Sequence, residues 1–300
     1  DINDNNIHNH RAILLPQGPN GGSIDDPGFV SEQSSGSQEF NNDVMLTWNK
    51  KINSLIKLDL TGGMNINGRS NNSLFASVST LDIPGFYNIQ NSPSQPVISE
   101  SNASRRQVNF YGLANLDYKN TAFLNVSLRR DQSSTLPSES NAYYYPSANV
   151  SYVLSEGLNL PKAISFAKVR FGYGVTANDA PSYAFDRYYS QSVIDMPFRS
   201  MNFPVGGVNS FSINSNLANP DLKVEYNREW EFGLDLKALD NRASLDLTLY
   251  SRVTDDMILF KAVAPSAGGT NQISNFADIL NKGVEIVASY KVLRKEDGLN

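Results

Sequence analysis

The chain has 300 residues, 40% of them hydrophobic and 18% charged, which places it outside the disordered class, and no apolar run approaches the ~20 residues of a membrane-spanning helix. With 25 basic and 30 acidic residues the net charge is −5, so no basic excess is available to neutralise phosphates and nucleic acid is not an expected partner. Cysteine is absent, which removes disulfides, thiolate metal sites and thiol nucleophiles together.

The chain opens on DINDNNIHNH, which holds its two histidines, His8 and His10. On a strand their i, i+2 spacing would put both on one face, with Asp1 and Asp4 nearby as further metal ligands. A solvated polar terminus is the reading adopted, and no metal or cofactor is expected. Asp1 is preceded by no methionine, basic region or apolar leader, so a processed or partial chain is expected.

From there on, apolar and polar residues alternate at period two, and no stretch keeps the 3.6 period of an amphipathic helix. The pattern predicts an all-β chain with nine strands, near 40–49, 54–67, 105–118, 121–131, 143–154, 164–176, 224–238, 242–254 and 282–292. In the second of these, Ile56, Leu58, Leu60, Met64 and Ile66 oppose Lys57, Asp59, Thr61, Asn65 and Asn67. In the seventh, Trp230, Phe232, Leu234 and Leu236 oppose Glu229, Glu231, Asp235 and Lys237. The strands exceed the ~5–6 residues usual in soluble sheets and match the ~9–11 needed to cross a membrane at a tilt. One face of each mixes charges of both signs with Asn and Thr, as a wall facing water would.

The expected connections alternate between short and long. Short ones fall at Lys50 to Asn53, Lys119-Asn120, Ser155 to Ala163 and Leu239 to Asn241. Longer ones fall at Gly68 to Ser104, Gln132 to Ala142, Ala177 to Lys223 and Asp255 to Asn281. This rhythm is the plan of an outer-membrane barrel, with short turns on the periplasmic side. The fold class expected is therefore a transmembrane antiparallel up-and-down β-barrel. Closed bacterial barrels have an even strand number, so nine, plus an apparent strand at Leu293 to Asn300, predicts part of a larger wall. Tyr143, Tyr144, Tyr145, Tyr226, Trp230, Tyr118, Tyr250 and Tyr290 are placed near strand ends, as in an interface belt or as ordinary core aromatics.

Several ordered motifs carry a resemblance. They are NFYGLANLDYKNTAFLNVSLRR at Asn109 to Arg130, YYYPS at Tyr143 to Ser147, and KVRFGYGVTAN at Lys168 to Asn178. NPDLKVEYNREWEFGLDL at Asn219 to Leu236, NRASLDLTLYSRVTDDMIL at Asn241 to Leu259 and NKGVEI at Asn281 to Ile286 follow. In this order and spacing they resemble the SusC/RagA family of TonB-dependent outer-membrane transporters from Bacteroidetes, and LDIPGFYNIQN at Leu81 to Asn91 looks like a loop element of the same family. Val224 departs from a proline frequent there. Nothing in residues 1–300 looks like the TonB box, the plug domain or the last strands of the wall.

The resemblance implies the bacterial outer membrane and import of oligosaccharides or peptides, with a SusD-like surface lipoprotein as lid, TonB acting through other parts of the chain, and outer-membrane lipid around the barrel. The loop from Ala177 to Lys223 carries Tyr183, Phe185, Tyr188, Tyr189, Phe198 and Arg199, the residues expected to touch substrate. Three readings of that loop stand: a sugar platform, a contact surface for the lid, or a loop packed on itself. Asn281-Lys282-Gly283 is expected to return the chain from a loop into a strand, and Asn219-Pro220-Asp221 to end a loop. Arg129-Arg130-Asp131 reads as a lumenal charge pair, with a site for an anionic substrate as the alternative.

Two rival classes make different demands on the sequence. An enzyme would need an acid/base pair, and Asp255-Asp256 and Glu229/Glu231 are the close carboxylate pairs. No Gly-x-Ser-x-Gly or His-Glu-x-x-His occurs, and Gly172-x-Gly174 lacks the helix and third glycine of a phosphate cradle, so no enzyme is expected. A soluble carbohydrate-binding or adhesive β-sandwich is the other rival, and it would purify as a folded monomer without detergent.

Overall fold

The computed structural model describes residues 2–13, 29–78, 80–83, 85–191, 193–196 and 199–292. Its long strands are β1 (Ile2–Ile13), β2 (Phe29–Lys51), β3 (Ile56–Val78), β4 (Val97–Tyr118), β5 (Ala122–Ser133), β6 (Ala142–Val153) and β7 (Ile164–Asn178). The connection that follows carries β8 (Tyr189–Gln191), β9 (Val193–Met196), β10 (Arg199–Asn202), β11 (Phe211–Ile213) and β12 (Asn216–Leu217), and the chain continues with β13 (Glu225–Ala238), β14 (Ala243–Ala262) and β15 (Asn271–Tyr290). Eleven strands form one open sheet in the order β1-β2-β3-β4-β5-β6-β7-β13-β14-β15-β12, antiparallel except where β12 runs parallel to β15. β8 with β11, and β9 with β10, form separate two-stranded sheets.

All nine expected strands are present, but several run further than the alternation. β2 and β3 have 23 residues each, and β15 spans 20 where only its C-terminal part was expected. At ~3.3 Å per residue, β2 is about 75 Å long, far more than a hydrocarbon layer requires. The added lengths are rich in Asn, Ser and Gln on both faces, and a strand wet on both sides carries no apolar alternation to read. For the same reason the opening segment, expected as a solvated terminus, is instead a strand: β1 pairs with β2 along its whole length, from Ile2↔Phe40 to Ile13↔Phe29. The apparent strand at 293–300 lies outside the described residues.

The chain divides into two compact units, one of residues 1–42, 66–106 and 187–215, the other of residues 43–65, 107–186 and 216–300. In the second unit the register turns sequence alternation into cross-strand rows. Leu116, Leu124, Val150, Phe171, Phe232, Leu249 and Val284 stand directly opposite one another from β4 to β15. One residue along each strand, the neighbouring row reads Asn115, Asn125, Asn149, Gly172, Glu231, Tyr250 and Gly283. Because period two sends adjacent residues to opposite faces, the sheet has one apolar and one polar side. Val150, Phe171 and Val284 of the apolar row are 46%, 48% and 61% exposed, a contiguous apolar surface that water would penalise.

Turn chemistry fixes the short connections. Lys119 and Asn120 both have positive φ, as a two-residue type I′ hairpin needs, and Leu239, Asp240 and Asn241 do the same between β13 and β14. The Asp117 carboxylate accepts the Asn120 amide at 2.8 Å and the Lys57 ammonium at 3.0 Å, tying the first of these turns to β3. At the opposite strand ends, Leu136, Tyr143, Ala180, Leu222, Val224 and Ile273 form a buried cluster. Asn219 closes the NPDL turn over it, its amide donating to the Ile273 carbonyl at 2.8 Å and its Oδ1 accepting the Asp221 N–H at 3.1 Å. In the other unit Val30, Val78 and Leu81 are buried together, and Asn91 staples the 81–91 loop by donating to the Ile83 and Phe86 carbonyls.

Asn281-Lys282-Gly283 does not return a loop to a strand. It lies within β15, where Gly283 faces Tyr250 and has no positive φ. Its missing side chain is the point: a Cβ there would sit 2.5 Å from the Tyr250 ring. Gly63 likewise admits Tyr111, and Gly233 admits Arg170. Gly283→Val should therefore destabilise the fold by about 1–3 kcal/mol through overpacking, whereas Gly112→Ala, whose added Cβ meets nothing within 4 Å, should be neutral; thermal unfolding of the two variants in detergent compares them.

Candidate functional site

The polar side of the sheet in the 43–65, 107–186 and 216–300 unit holds a groove of about 390 Å³. Gly172 and Gly174, two residues apart on β7, form a bare floor; Ser147 and Asn149 of β6 make one wall, and Glu229, Glu231 and Arg252 of β13 and β14 the other. The Gly172-x-Gly174 pair that fails as a phosphate cradle thus has a shape role: a Cβ on Gly172 would meet the Asn149 Oδ1 at 2.6 Å.

Charges on this side are organised in pairs. Two nitrogens of Arg252 lie 2.6 and 2.7 Å from Glu229 Oε2. Arg170 reaches across two strands, to Glu231 at 3.3 Å, Asp235 at 2.9 Å, Asp246 at 3.3 Å and the Thr248 hydroxyl at 2.6 Å. The two glutamates that would have served an acid/base pair are therefore engaged by different arginines. Asp255 pairs with Arg228, and the Asp256 N–H donates to Asp278 at a bulge in β14.

Arg129, Arg130 and Asp131 do not act as one cluster, because adjacent strand residues face opposite ways. Arg129 binds Asp131 at 2.7 Å, and Asp131 also accepts the Tyr145 hydroxyl at 2.5 Å, with buried Asn109 beside both. Arg130 is on the apolar side, its guanidinium 6.0 Å from the Tyr144 ring centre. Deeper at these strand ends Asp179 accepts from Ser133, from Thr135 at 3.0 Å and from Gln107 at 3.1 Å.

The aromatics separate by side. Tyr143 and Tyr145 stack with centroids 6.1 Å apart on the polar side, and Tyr250 lies mid-strand over Gly283, so these three are not belt residues. On the apolar side Tyr118, Tyr290 and Trp48 stand near the short-turn ends, each with a basic side chain over its ring: Lys119 at 5.3 Å, Arg242 at 5.4 Å and Lys50 at 5.6 Å. Lys50 and Lys119 fall at expected turns and Arg242 opens the strand expected near 242–254, but the sequence does not show that each folds back over a ring.

The expected substrate residues are split between the two units. Tyr183 has positive φ and is exposed, while Phe185 packs against the Leu136–Ile273 cluster. In the other unit Tyr188 and Tyr189 are 52% and 70% exposed, and Tyr189 opposes Ile213 in the β8–β11 sheet. Arg199 begins β10, opposite Met196; Phe198 lies outside the described residues. Asn149, Gly174 and Arg252 were missed as groove residues, since only strand register brings them together.

The family model described as TonB dependent receptor-like, beta-barrel matches residues 5–299. TonB-dependent receptor P26 of Formosa agariphila is 23% identical over 275 residues, covering 90% of this chain and 27% of that protein. TonB-dependent receptor SusC of Bacteroides thetaiotaomicron is 23% identical over 201 residues, 63% of this chain and 19% of its own length. The chain thus spans about a quarter or less of these relatives. Among solved structures, the RagAB peptide transporter superposes with TM-score 0.79 at 19% identity, covering 98% of this chain and 32% of that one, and the copper transporter OprC with 0.55 at 16% identity, covering 97% and 40%. These likenesses show the fold.

The Arg170 hub gives a direct test. Arg170→Met should lower stability in detergent by about 1–3 kcal/mol, because three carboxylates lose their shared cation at a half-wet site. Adding Asp235→Asn should restore part of the loss, as urea unfolding of the single and double variants would read.

Proposed function

This chain belongs to the TonB-dependent receptor β-barrel family of the outer membrane, and we propose that its parent protein imports a nutrient, an oligosaccharide or a peptide, through a barrel of which these residues form part of the wall. The observation that carries the reading is the pairing of a continuous apolar row with a continuous polar row one residue away across β4 to β15. A sheet with those two faces suits lipid outside and water within, and the polar side offers paired charges, amides and hydroxyls along a solute's route. The family is one of transporters and receptors, not an enzyme family.

In this reading no bond is made or broken. A SusD-like surface lipoprotein closes over the long-loop end, TonB supplies energy through other parts of the parent protein, and solute is held by loops before it passes. The names of the relatives, one a SusC and one a RagAB peptide transporter, support this class of partner and cargo. In the unit that holds residues 187–215, Tyr188 and Tyr189 present exposed rings suited to stacking on sugars or apolar side chains and are proposed as contacts together with Phe198 and Arg199; in the other unit Tyr183 is exposed and is proposed as a contact by itself, while Phe185 packs against the core there.

Deleting the parent gene should abolish growth on, and uptake of, one oligosaccharide or peptide class, and a protonophore should reproduce the loss. Unchanged uptake of every tested class would overturn the import reading. Replacing Tyr188 and Tyr189 together with Ala should weaken solute binding about tenfold, as loss of two stacked anchors does, while leaving thermal stability unchanged; equal affinity of variant and wild type would remove these residues from the site.

A further inference from the structure

The apolar side of the sheet is not evenly filled. Between β2 and β5, within the 43–65, 107–186 and 216–300 unit, it holds an open pit of about 650 Å³. Gly62 of β3 with Gly112 and Ala114 of β4 floor the pit, and the exposed side chains of Trp48 and Leu128 wall it on the β2 and β5 sides. Alternation puts all five on the apolar side, because their neighbours Thr47 and Thr61 meet at 3.0 Å, and Lys57 meets Asp117, on the polar one. Neither glycine has positive φ, and a Cβ added to either would meet nothing within 4 Å. They differ in this from Gly63, Gly233 and Gly283, each emptied for a neighbour within the wall. A glycine inside a strand weakens it and marks a place where something approaches closely; here the space opens only outward.

The short-turn end of the same strands is positively charged. The Lys119 N–H donates to the Leu55 carbonyl at 2.7 Å, which joins the β4–β5 turn to the β2–β3 turn. Lys50 lies over Trp48 and Lys119 over Tyr118 on the apolar side, and among the described residues neither ammonium forms an ion pair. Asp117, at this end, faces the polar side and is engaged by Lys57 at 3.0 Å. Gly112 and Tyr118 are six positions apart on β4. That is about 20 Å of strand and, at a tilt of ~45°, about 14 Å of depth, close to half of a hydrocarbon layer ~30 Å thick.

We propose that the pit and the two lysines together hold one anionic glycerophospholipid of the periplasmic leaflet, its phosphate between Lys50 and Lys119 and the end of an acyl chain in the pit. The inference rests on the wall having lipid on its apolar side and is independent of which solute is imported. The side chains facing into the pit are apolar, so a chain end fills it with no polar group to desolvate. Its depth matches the reach of a lipid whose head group stands at the short-turn end, which is the periplasmic end in barrels of this plan. Two ammonium groups held against rings at a membrane surface attract an anionic head group. A zwitterionic lipid offers the same phosphate together with its own cation, and so gains less. A second copy of the chain could fill the pit with a bulky side chain, but it would leave both lysines without a counter-charge.

In the test, the full-length parent protein in detergent is titrated with dioleoyl phosphatidylglycerol, dioleoyl phosphatidylcholine and lipid A, and bound lipid is read by native mass spectrometry. Phosphatidylglycerol should be held about tenfold more tightly than phosphatidylcholine. Lys50→Gln combined with Lys119→Gln should erase that preference. Gly112→Leu, whose added Cβ meets nothing of the wall, should weaken both phospholipids about tenfold through loss of the chain's seat, with the preference and the thermal stability kept. Should Gly112→Leu fail to fold, the lysine pair decides, since both lysines are exposed. Equal retention of the two phospholipids, a preference for lipid A, retention indifferent to these variants, or a dimer that Gly112→Leu dissociates with lipid binding unchanged would overturn the site. Detergent dependence separates the failures: a parent protein that needs detergent keeps the lipid-facing wall and loses only this site, whereas one that stays folded and monomeric without detergent rejects the wall itself.

Discussion

The structure depends on antiparallel register. Because Leu124 stands opposite both Leu116 and Val150, and Phe232 opposite both Phe171 and Leu249, a period-two pattern in one strand becomes an uninterrupted row across seven. A slip of one residue in any pairing would set Asn149 or Glu231 into the apolar row and Val150 or Phe232 into the polar one. Register is therefore enforced at every strand, and the polar groove, the Arg170 hub and the glycine gaps all inherit their geometry from it.

The polar side uses two devices to satisfy charged and bulky groups on a crowded wall. One is sharing, as with Arg170 and its three carboxylates or Asp179 and its three donors. The other is omission of a side chain opposite a large one, seen at Gly63 under Tyr111, Gly233 under Arg170 and Gly283 under Tyr250. Backbone freedom explains none of these three glycines, whose φ values are not positive; close approach does.

Legibility in the sequence follows from what each stretch touches. Where one face is apolar, as in β5, β7 and β13, alternation located the strand within a few residues. In β1 and the outer part of β3 polar residues stand on both faces, so the period fades and the sequence predicts a terminus at the first and a loop from Gly68 at the second. NPDL was readable as a turn because Asn219 acts locally on Asp221, whereas NKGVEI was misplaced because Gly283 acts on Tyr250, far away in sequence. The groove residues Asn149, Gly172, Glu231 and Arg252 were individually visible and jointly hidden, since their proximity is a property of pairing, not of spacing.

Spin-label accessibility measures the two faces most directly, and residues 1–300 contribute no native thiol to compete with the label. In the parent protein reconstituted in lipid, labels at Phe171→Cys, Phe232→Cys and Leu249→Cys should relax with dissolved oxygen and be shielded from a water-soluble nickel chelate, while labels at Asn149→Cys and Glu231→Cys should show the reverse. Equal response to both reagents at adjacent positions such as 231 and 232 would contradict a wall with lipid on one side and water on the other.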